Sequence, residues 1–299
     1  MEIQFVKPSM QYKPGQWLFL KCPTVSNNQW HPFTITSCPF DPYLSVHVRQ
    51  VGDFTRELGN SLGTGPLQAE YYVDDDPMQM YEVTLGEGEQ FPALRIDGPY
   101  GAPAEDVFAN EVAVLIGTGI GVTPFASILK QIFNLRAQND LPKRLRRVEF
   151  FWICRDTSSF MWFQSLLNSL ESQSLEASEG KGDDFLRIHT YLTKQMDIDA
   201  ATNIVLNSVG TDKDPLTELR SRTNFGRPDF NKLFKGMRDG IIDRRYMPNL
   251  EAPDSYGKQK RTEVGVYFCG PSSASVVIKK ACQAADSKEV NFKFWKEHF

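Results

Sequence analysis

The run Glu111-Val-Ala-Val-Leu-Ile-Gly-Thr-Gly-Ile-Gly-Val-Thr-Pro124 places three glycines, Gly117, Gly119 and Gly121, at alternate positions between an apolar stretch and a proline. Glycine takes φ > 0 at little cost and, lacking Cβ, lets a ligand approach the backbone. A proline suits the first turn of a helix. A turn that ends on a helix start points free N–H groups outward, with the positive end of the helix dipole behind them. That chemistry suits a phosphate. The spacing departs from G-x-G-x-x-G because position 122 is Val. No acidic residue follows at a strand end about 20 residues on, where a ribose 2′-hydroxyl would need one. The uncharged run Val112–Leu129, 18 residues long, reaches the lower limit for a membrane span. Its glycines and proline, with Thr118, Thr123 and Ser127, favour strand, turn and helix instead.

A second candidate is Arg155, in Ile153-Cys154-Arg155-Asp156. The end of a strand in an open parallel sheet is where ligands sit, and the planar guanidinium fork matches a phosphate. A 2′-phosphate on adenosine ribose is its natural partner, which favours NADPH over NADH. Arg155 paired with Asp156 or another carboxylate fits the same spacing. A third constellation joins His31-Pro-Phe-Thr-Ile-Thr-Ser37 to Val46-His-Val-Arg-Gln-Val-Gly-Asp-Phe-Thr55. A strand of this kind can lay backbone and hydroxyl along a flat ring, and a later Arg and helix start can hold its phosphates. Aromatic and β-branched residues in alternation also suit a plain barrel core.

These groups need a scaffold of two kinds. Residues 1–105 read as short β-segments, Gln16–Cys22, Phe33–Thr36, Tyr43–Val51 and Phe91–Ile96, separated by Pro, Gly and Asn clusters. Asp53 is expected to cap a helix through Leu62, and Asp97-Gly-Pro-Tyr-Gly101 to form a tight turn. From about 106, apolar strands at Val112–Ile116, Val148–Ile153, Phe185–Leu192, Val264–Phe268 and Phe292–Trp295 alternate with helical patterns at Val122–Arg136, Phe160–Leu170 and Ser273–Ala284. That alternation implies a parallel sheet covered by helices. The expected fold is an antiparallel β-barrel domain over 1–105 followed by an α/β parallel-sheet domain over 106–299. Residues 63–92, 172–184 and 238–262 are expected to be loops. The basic run Lys143-Arg-Leu-Arg-Arg147 reads as a solvated loop, or as a face for a membrane or a regulatory protein.

Composition sets bounds on the function. The chain has 299 residues, 41% hydrophobic and 23% charged, with a net charge of −4. Nothing in that balance points to nucleic acid. Five scattered cysteines and four histidines show neither a disulfide framework nor metal-ligand spacing, so no metal site is expected. Cys22, Cys38 and Cys282 are assigned to packing. The opening Met-Glu-Ile-Gln-Phe reads as the middle of a strand, so a longer parent protein is expected.

Taken in order along the chain, several motifs together resemble the cytosolic dehydrogenase region of the NADPH oxidase catalytic subunits, within the ferredoxin–NADP reductase superfamily. They are His31–Ser37, His47–Thr55, Asp97–Gly101, Glu105–Phe108, Gly117–Leu129, Cys154-Arg-Asp-Thr157, Gly226-Arg-Pro228, Cys269-Gly-Pro271 and the terminal Phe299. The resemblance implies bound FAD and NADPH. His31, Pro32, Phe33 and Thr34 would line the flavin ring, with Thr34 near N5. Arg49 and Thr55 would hold the FAD diphosphate, with His47 near it. Gly117, Thr118, Gly119, Gly121, Thr123 and Pro124 would cradle the NADPH diphosphate, and Arg155 and Arg227 would take the 2′-phosphate. Cys269, Gly270 and Pro271 would lie under the nicotinamide, and Phe299 would cover the flavin. Thr34, Cys269 and Phe299 would stand at the hydride-transfer site.

The implied activity is hydride transfer from NADPH to FAD, then single electrons to haem and dioxygen, giving superoxide. Haem would belong to a transmembrane domain absent from this chain. The segment itself would be soluble, on the cytosolic face of a membrane, with cytosolic regulatory proteins as further partners. The alternatives are the same region of a ferric-chelate reductase and a non-catalytic regulatory module on this fold. Phe54 stands where the phagocyte-type oxidases have Trp, and the inserts at 63–92 and 238–262 are longer than theirs.

Overall fold

A computed structural model describes residues 1–6, 9–64, 90–155, 158–177, 185–194, 213–217, 219–247 and 261–297. The first part of the chain is antiparallel. Strands β1 (Glu2–Val6) and β4 (Tyr43–His47) pair with each other, and β2 (Trp17–Lys21) lies between β3 (His31–Thr34) and β5 (Arg95–Tyr100). A bridge between Ile35 and Val46 joins the two sheets. They curl around a core of Leu18, Leu20, Ile35, Leu44, Val46 and Leu58, all fully buried. Helix α1 (Asp53–Ser61) packs on this core through Phe54 and Leu58.

The second part is α/β. Six parallel strands lie in the order β11-β10-β6-β7-β8-β9. They are β6 (Val112–Thr118), β7 (Arg147–Cys154), β8 (Leu186–Leu192), β9 (Asn224–Phe225), β10 (Thr262–Cys269) and β11 (Val290–Glu297). The central β6 reads Val-Ala-Val-Leu-Ile and is buried on both faces, as a parallel strand covered by helices must be. Helices α2 (Thr123–Ala137) and α3 (Ser158–Ala177) cover one face through Phe125, Ile128, Leu129, Ile132, Phe163 and Leu167. Helices α4 (Phe230–Ile242) and α5 (Ser272–Ala285) cover the other through Phe234, Ile241, Ile278 and Cys282. Chain order runs from β6 outward to β9, then returns to β10 on the other side of β6. The β6–β10 seam is therefore the topological switch point, where such sheets open a crevice at their carboxyl edge. Among the described residues no helix is long and apolar enough to cross a membrane.

Several local expectations differ from the structure. Residues 97–101 are not a tight turn. Asp97–Tyr100 continue β5 through a cis Gly98–Pro99 bond, opposite Trp17 and Phe19. Gly52, not Asp53, is the cap of α1, because Thr55 Oγ1 takes the Gly52 N–H at 3.0 Å and leaves Asp53 in the first helical turn. The β4 ladder stops at His47, four residues early, where its partner β1 runs out at Glu2. Helix α3 continues to Ala177 through Leu170 and Ser174, both buried, so 172–177 is no loop. The insert at 238–262 begins inside α4, whose apolar positions Phe230, Phe234, Met237 and Ile241 recur at helical spacing. Most of the 63–92 insert, along with 178–184 and 248–260, lies outside the described residues.

Candidate functional site

Strand β6 delivers the glycine run to the carboxyl edge of the sheet. Its last pairs are Gly117 with Cys269 of β10 and Thr118 with Ile153 of β7. A short 3-10 turn, Gly119–Val122, then leads into α2, with Pro124 in its first turn. No side chain caps the 3-10 turn or α2; the Thr123 N–H already donates to the Ile120 carbonyl and Pro124 has none, so the backbone offered to an anion is that of the turn, where a Cβ on Gly119 would meet nothing within 4 Å. Trp152 braces the turn from below, donating from Nε1 to the Gly119 carbonyl at 3.2 Å. Gly121 is required by contact: a Cβ there would stand 2.5 Å from the Cys269 carbonyl oxygen.

That approach brings Cys269-Gly-Pro271 against the turn. The Thr118 hydroxyl lies 3.5 Å from the Cys269 carbonyl, towards which it donates. Burial pushes the Cys269 thiol up to about 12, so it stays protonated and is no nucleophile at neutral pH. On the other side of the turn, the Thr123 hydroxyl lies 3.5 Å from that of Thr34, at the end of β3. The contact continues along α2. Ser127 donates to the Ser37 carbonyl at 2.6 Å, Lys130 meets Asp41 at 3.5 Å, and Asn134 Nδ2 reaches the Cys38 sulfur at 3.6 Å. Residues 123, 127, 130 and 134 recur at helical spacing, so one stripe of α2 docks on barrel residues 34–41.

Of the remaining barrel residues, His31 lies at the other end of β3, and His47 lies beside Thr36, past the Thr34 end. His31 stacks on Phe54 with ring centroids 3.8 Å apart, while Pro32 is exposed and Phe33 half-buried. Burial lowers the His31 pKa, which favours its neutral form. His47 faces inward. Its Nδ1 lies 2.8 Å from the Thr36 hydroxyl, and burial pushes it down to about 4 despite Glu2, so it carries no charge for a phosphate. The Thr55 hydroxyl is engaged by its own turn, accepting from the Val51 and Gly52 N–H groups and donating to the Gly52 carbonyl. Arg49, just before that turn, is exposed.

Arg155 stands exposed one residue past β7, and Arg227 stands exposed two residues past β9. Cys154, Leu192 and Phe225 are in register across β7, β8 and β9, which puts the two strand ends about 10 Å apart on one edge. Phe299 lies outside the described residues, as do Asp156 and Thr157. Near the chain end, Glu297 of β11 pairs with Cys269, is buried, and accepts the Ala104 N–H at 2.7 Å.

Two groups escaped the sequence reading. Glu297 lies two positions before the aromatic terminus and gave no periodic signal. Arg147 is no solvated loop residue. It opens β7 fully buried, with Nε 2.8 Å from Glu149, and its guanidinium lies 3.6 Å from the Tyr246 ring centroid. Glu149 also meets His189 and the Tyr246 hydroxyl. A charge pattern R-x-E at a strand start would have been the available signal, since alternate residues share one face.

The residues fit the groups expected of them: a turn with Gly119 at φ 54° and open space where its Cβ would stand suits a diphosphate, and two exposed guanidinium groups share the same edge. The FAD-binding domain model matches residues 1–104, and the ferric reductase NAD binding domain model matches residues 110–283. These matches define an oxidoreductase that binds FAD and a nicotinamide nucleotide. The chain belongs to the ferric reductase NAD binding domain family, and its homology to NADPH oxidases runs its full length. It is 36% identical to NADPH oxidase 1 of Mus musculus, matching 100% of this chain and 44% of that protein. It is 35% identical to a superoxide-generating NADPH oxidase heavy chain of Dictyostelium discoideum, matching 100% of this chain and 51% of that protein. The chain thus spans about half the length of the curated relatives it matches. A solved ferredoxin NADP+ reductase from Neisseria gonorrhoeae with bound FAD and NADP aligns with 98% of this chain and 91% of its own, at 14% identity and a TM-score of 0.49.

Proposed function

We propose that this chain is the dehydrogenase part of a superoxide-generating NADPH oxidase, with a flavin domain over 1–105 and an NADPH domain over 106–299. The observation that carries this reading is one turn touching both sides. Residues 118–123 abut Cys269 through Thr118 and Gly121, and Thr34 through Thr123. FAD, when bound, supplies the chemistry: it takes a hydride from NADPH as a pair and gives up electrons singly.

The chain's own residues bind, orient and exclude water. His31, Pro32, Phe33 and Thr34 hold the flavin ring, and Arg49 holds its diphosphate. Thr55 contributes by shaping the helix start, and His47 by holding Thr36 in place. The turn from Gly117 through Pro124 receives the NADPH diphosphate on its backbone. Arg155 and Arg227 take the 2′-phosphate, which is the basis for preferring NADPH to NADH. Cys269, Gly270 and Pro271 would form the floor for the nicotinamide, and Phe299 would cover the flavin. No side chain needs to give or take a proton for hydride transfer, so positioning supplies the rate.

The rest of the reading concerns the whole protein. The whole protein would carry haem as the electron acceptor in a transmembrane domain of the same polypeptide, with this segment on the cytosolic side under the control of cytosolic regulatory proteins. The family's description as a ferric reductase keeps a ferric chelate as the rival acceptor. The test has two arms. The segment loaded with FAD should oxidise NADPH quickly with an artificial dye and slowly with oxygen. Full-length protein in vesicles should yield superoxide on NADPH addition. No dye turnover would refute the dehydrogenase assignment, and reduction of a ferric chelate without superoxide would favour the rival.

A further inference from the structure

We infer that Asp214 is a positioning residue for Arg227 and so sets the preference for a phosphorylated ribose, an inference that rests on the assignment of Arg227 to the 2′-phosphate. Asp214 is buried. Its Oδ1 accepts from the Leu216 and Thr217 N–H groups and from the Thr217 and Thr223 hydroxyls, each at 3.0 Å. Its Oδ2 accepts the Thr223 N–H at 2.8 Å. One carboxylate therefore ties the start of the 214–223 loop to its end. Helix α3 braces the middle: Gln164 donates to the Thr217 carbonyl at 2.8 Å, and Glu171 accepts the Arg220 N–H at 2.7 Å.

Thr223 is the entry to β9. Its hydroxyl lies 3.3 Å from that of Thr190, and Asn224 Nδ2 donates to the Thr190 carbonyl at 3.2 Å. Strand β9 is two residues long and sits at the edge of the sheet. So short a strand, against a usual five or six, cannot fix its own register by ladder bonds. After it, Gly226 at φ 88° turns the chain, its N–H bonded to the Leu192 carbonyl at 2.9 Å, and Arg227 follows. The backbone that carries Arg227 is thus held at two points, the Asp214–Thr223 link upstream and the Gly226–Leu192 bond beside it, and Asp214 supplies the first.

Asp214→Asn isolates that link. The amide oxygen can keep the four Oδ1 contacts, while the NH₂ replaces Oδ2 and faces the Thr223 N–H, donor against donor. In the FAD-loaded segment with a dye acceptor, D214N should raise the KM for NADPH about tenfold, leaving kcat and the KM for NADH unchanged. In an Arg227→Ala background D214N should add nothing. Thr223→Ala, which removes only the hydroxyl links, should give a smaller NADPH-selective rise of about threefold and serves if D214N does not fold. Equal loss for both nucleotides, or a D214N effect that persists without Arg227, overturns the inference alone. An unchanged KM for NADPH in Arg227→Ala overturns the Arg227 assignment, and this inference with it.

Discussion

The hydroxyl of Thr123, first residue of α2, stands 3.5 Å from the hydroxyl of Thr34, last residue of β3. One opens the helix behind the glycine turn, the other ends the strand proposed to line the flavin ring. Their contact is held by the stripe Ser127, Lys130 and Asn134, so the two halves meet along a helix and not at one point. Cys269 meets the other side of the same turn.

Gly121→Ala should break that geometry. The added methyl would lie 2.5 Å from the Cys269 carbonyl, a backbone atom that cannot swing aside. The expected result is a loss of kcat/KM for NADPH of at least about tenfold, with FAD affinity unchanged, read by dye reduction and flavin absorbance.

Arg155→Ala should weaken NADPH by roughly ten- to a hundredfold and NADH hardly at all, since a charge-assisted contact contributes about 1.5–3 kcal/mol. Paired KM measurements check it. Equal loss for the two nucleotides would return Arg155 to the surface ion pair that its sequence neighbours also allow.

Ser127→Ala removes the donor to the Ser37 carbonyl and leaves a buried acceptor unmet. Denaturant unfolding should show a loss of about 1–3 kcal/mol. An unchanged midpoint would mean that this seam does not hold the halves together.

Burial raises the Glu297 carboxyl from 4.5 to about 7, despite the Ala104 N–H it accepts. Between those values the folded chain keeps a proton that the unfolded chain has lost. The contribution is fully present below about 4.5 and fades as pH rises through about 7. Wild-type stability should therefore fall across that window by on the order of 3 kcal/mol relative to Glu297→Gln, which does not titrate. Parallel unfolding curves at pH 5 and pH 8 would contradict this.

What the sequence made legible follows from where the signals are local. Glycine spacing and an uninterrupted apolar β6 mark the turn because backbone geometry demands those residue types at those positions. The α/β alternation is equally plain where β6, β7 and β10 are apolar and flanked by helical stripes, whereas the two-residue, exposed β9 carries no such signal. Asp97–Tyr100 misled because Gly-Pro reads as a turn, whereas the strand absorbs it opposite Trp17. Arg147, Glu149, His189 and Tyr246 come together from three separate segments, and no window of sequence shows such a cluster. Asp214 was invisible for another reason: its donors lie within nine residues, but three of them are backbone N–H groups, which residue type does not reveal.

The central claim is that the two halves bring NADPH and FAD face to face. Anaerobic titration of the FAD-loaded chain with NADPH, followed at the flavin absorbance band, tests it most directly. Bleaching complete near one equivalent of NADPH is the expected result. A flavin that binds yet stays oxidised at saturating NADPH would contradict the account.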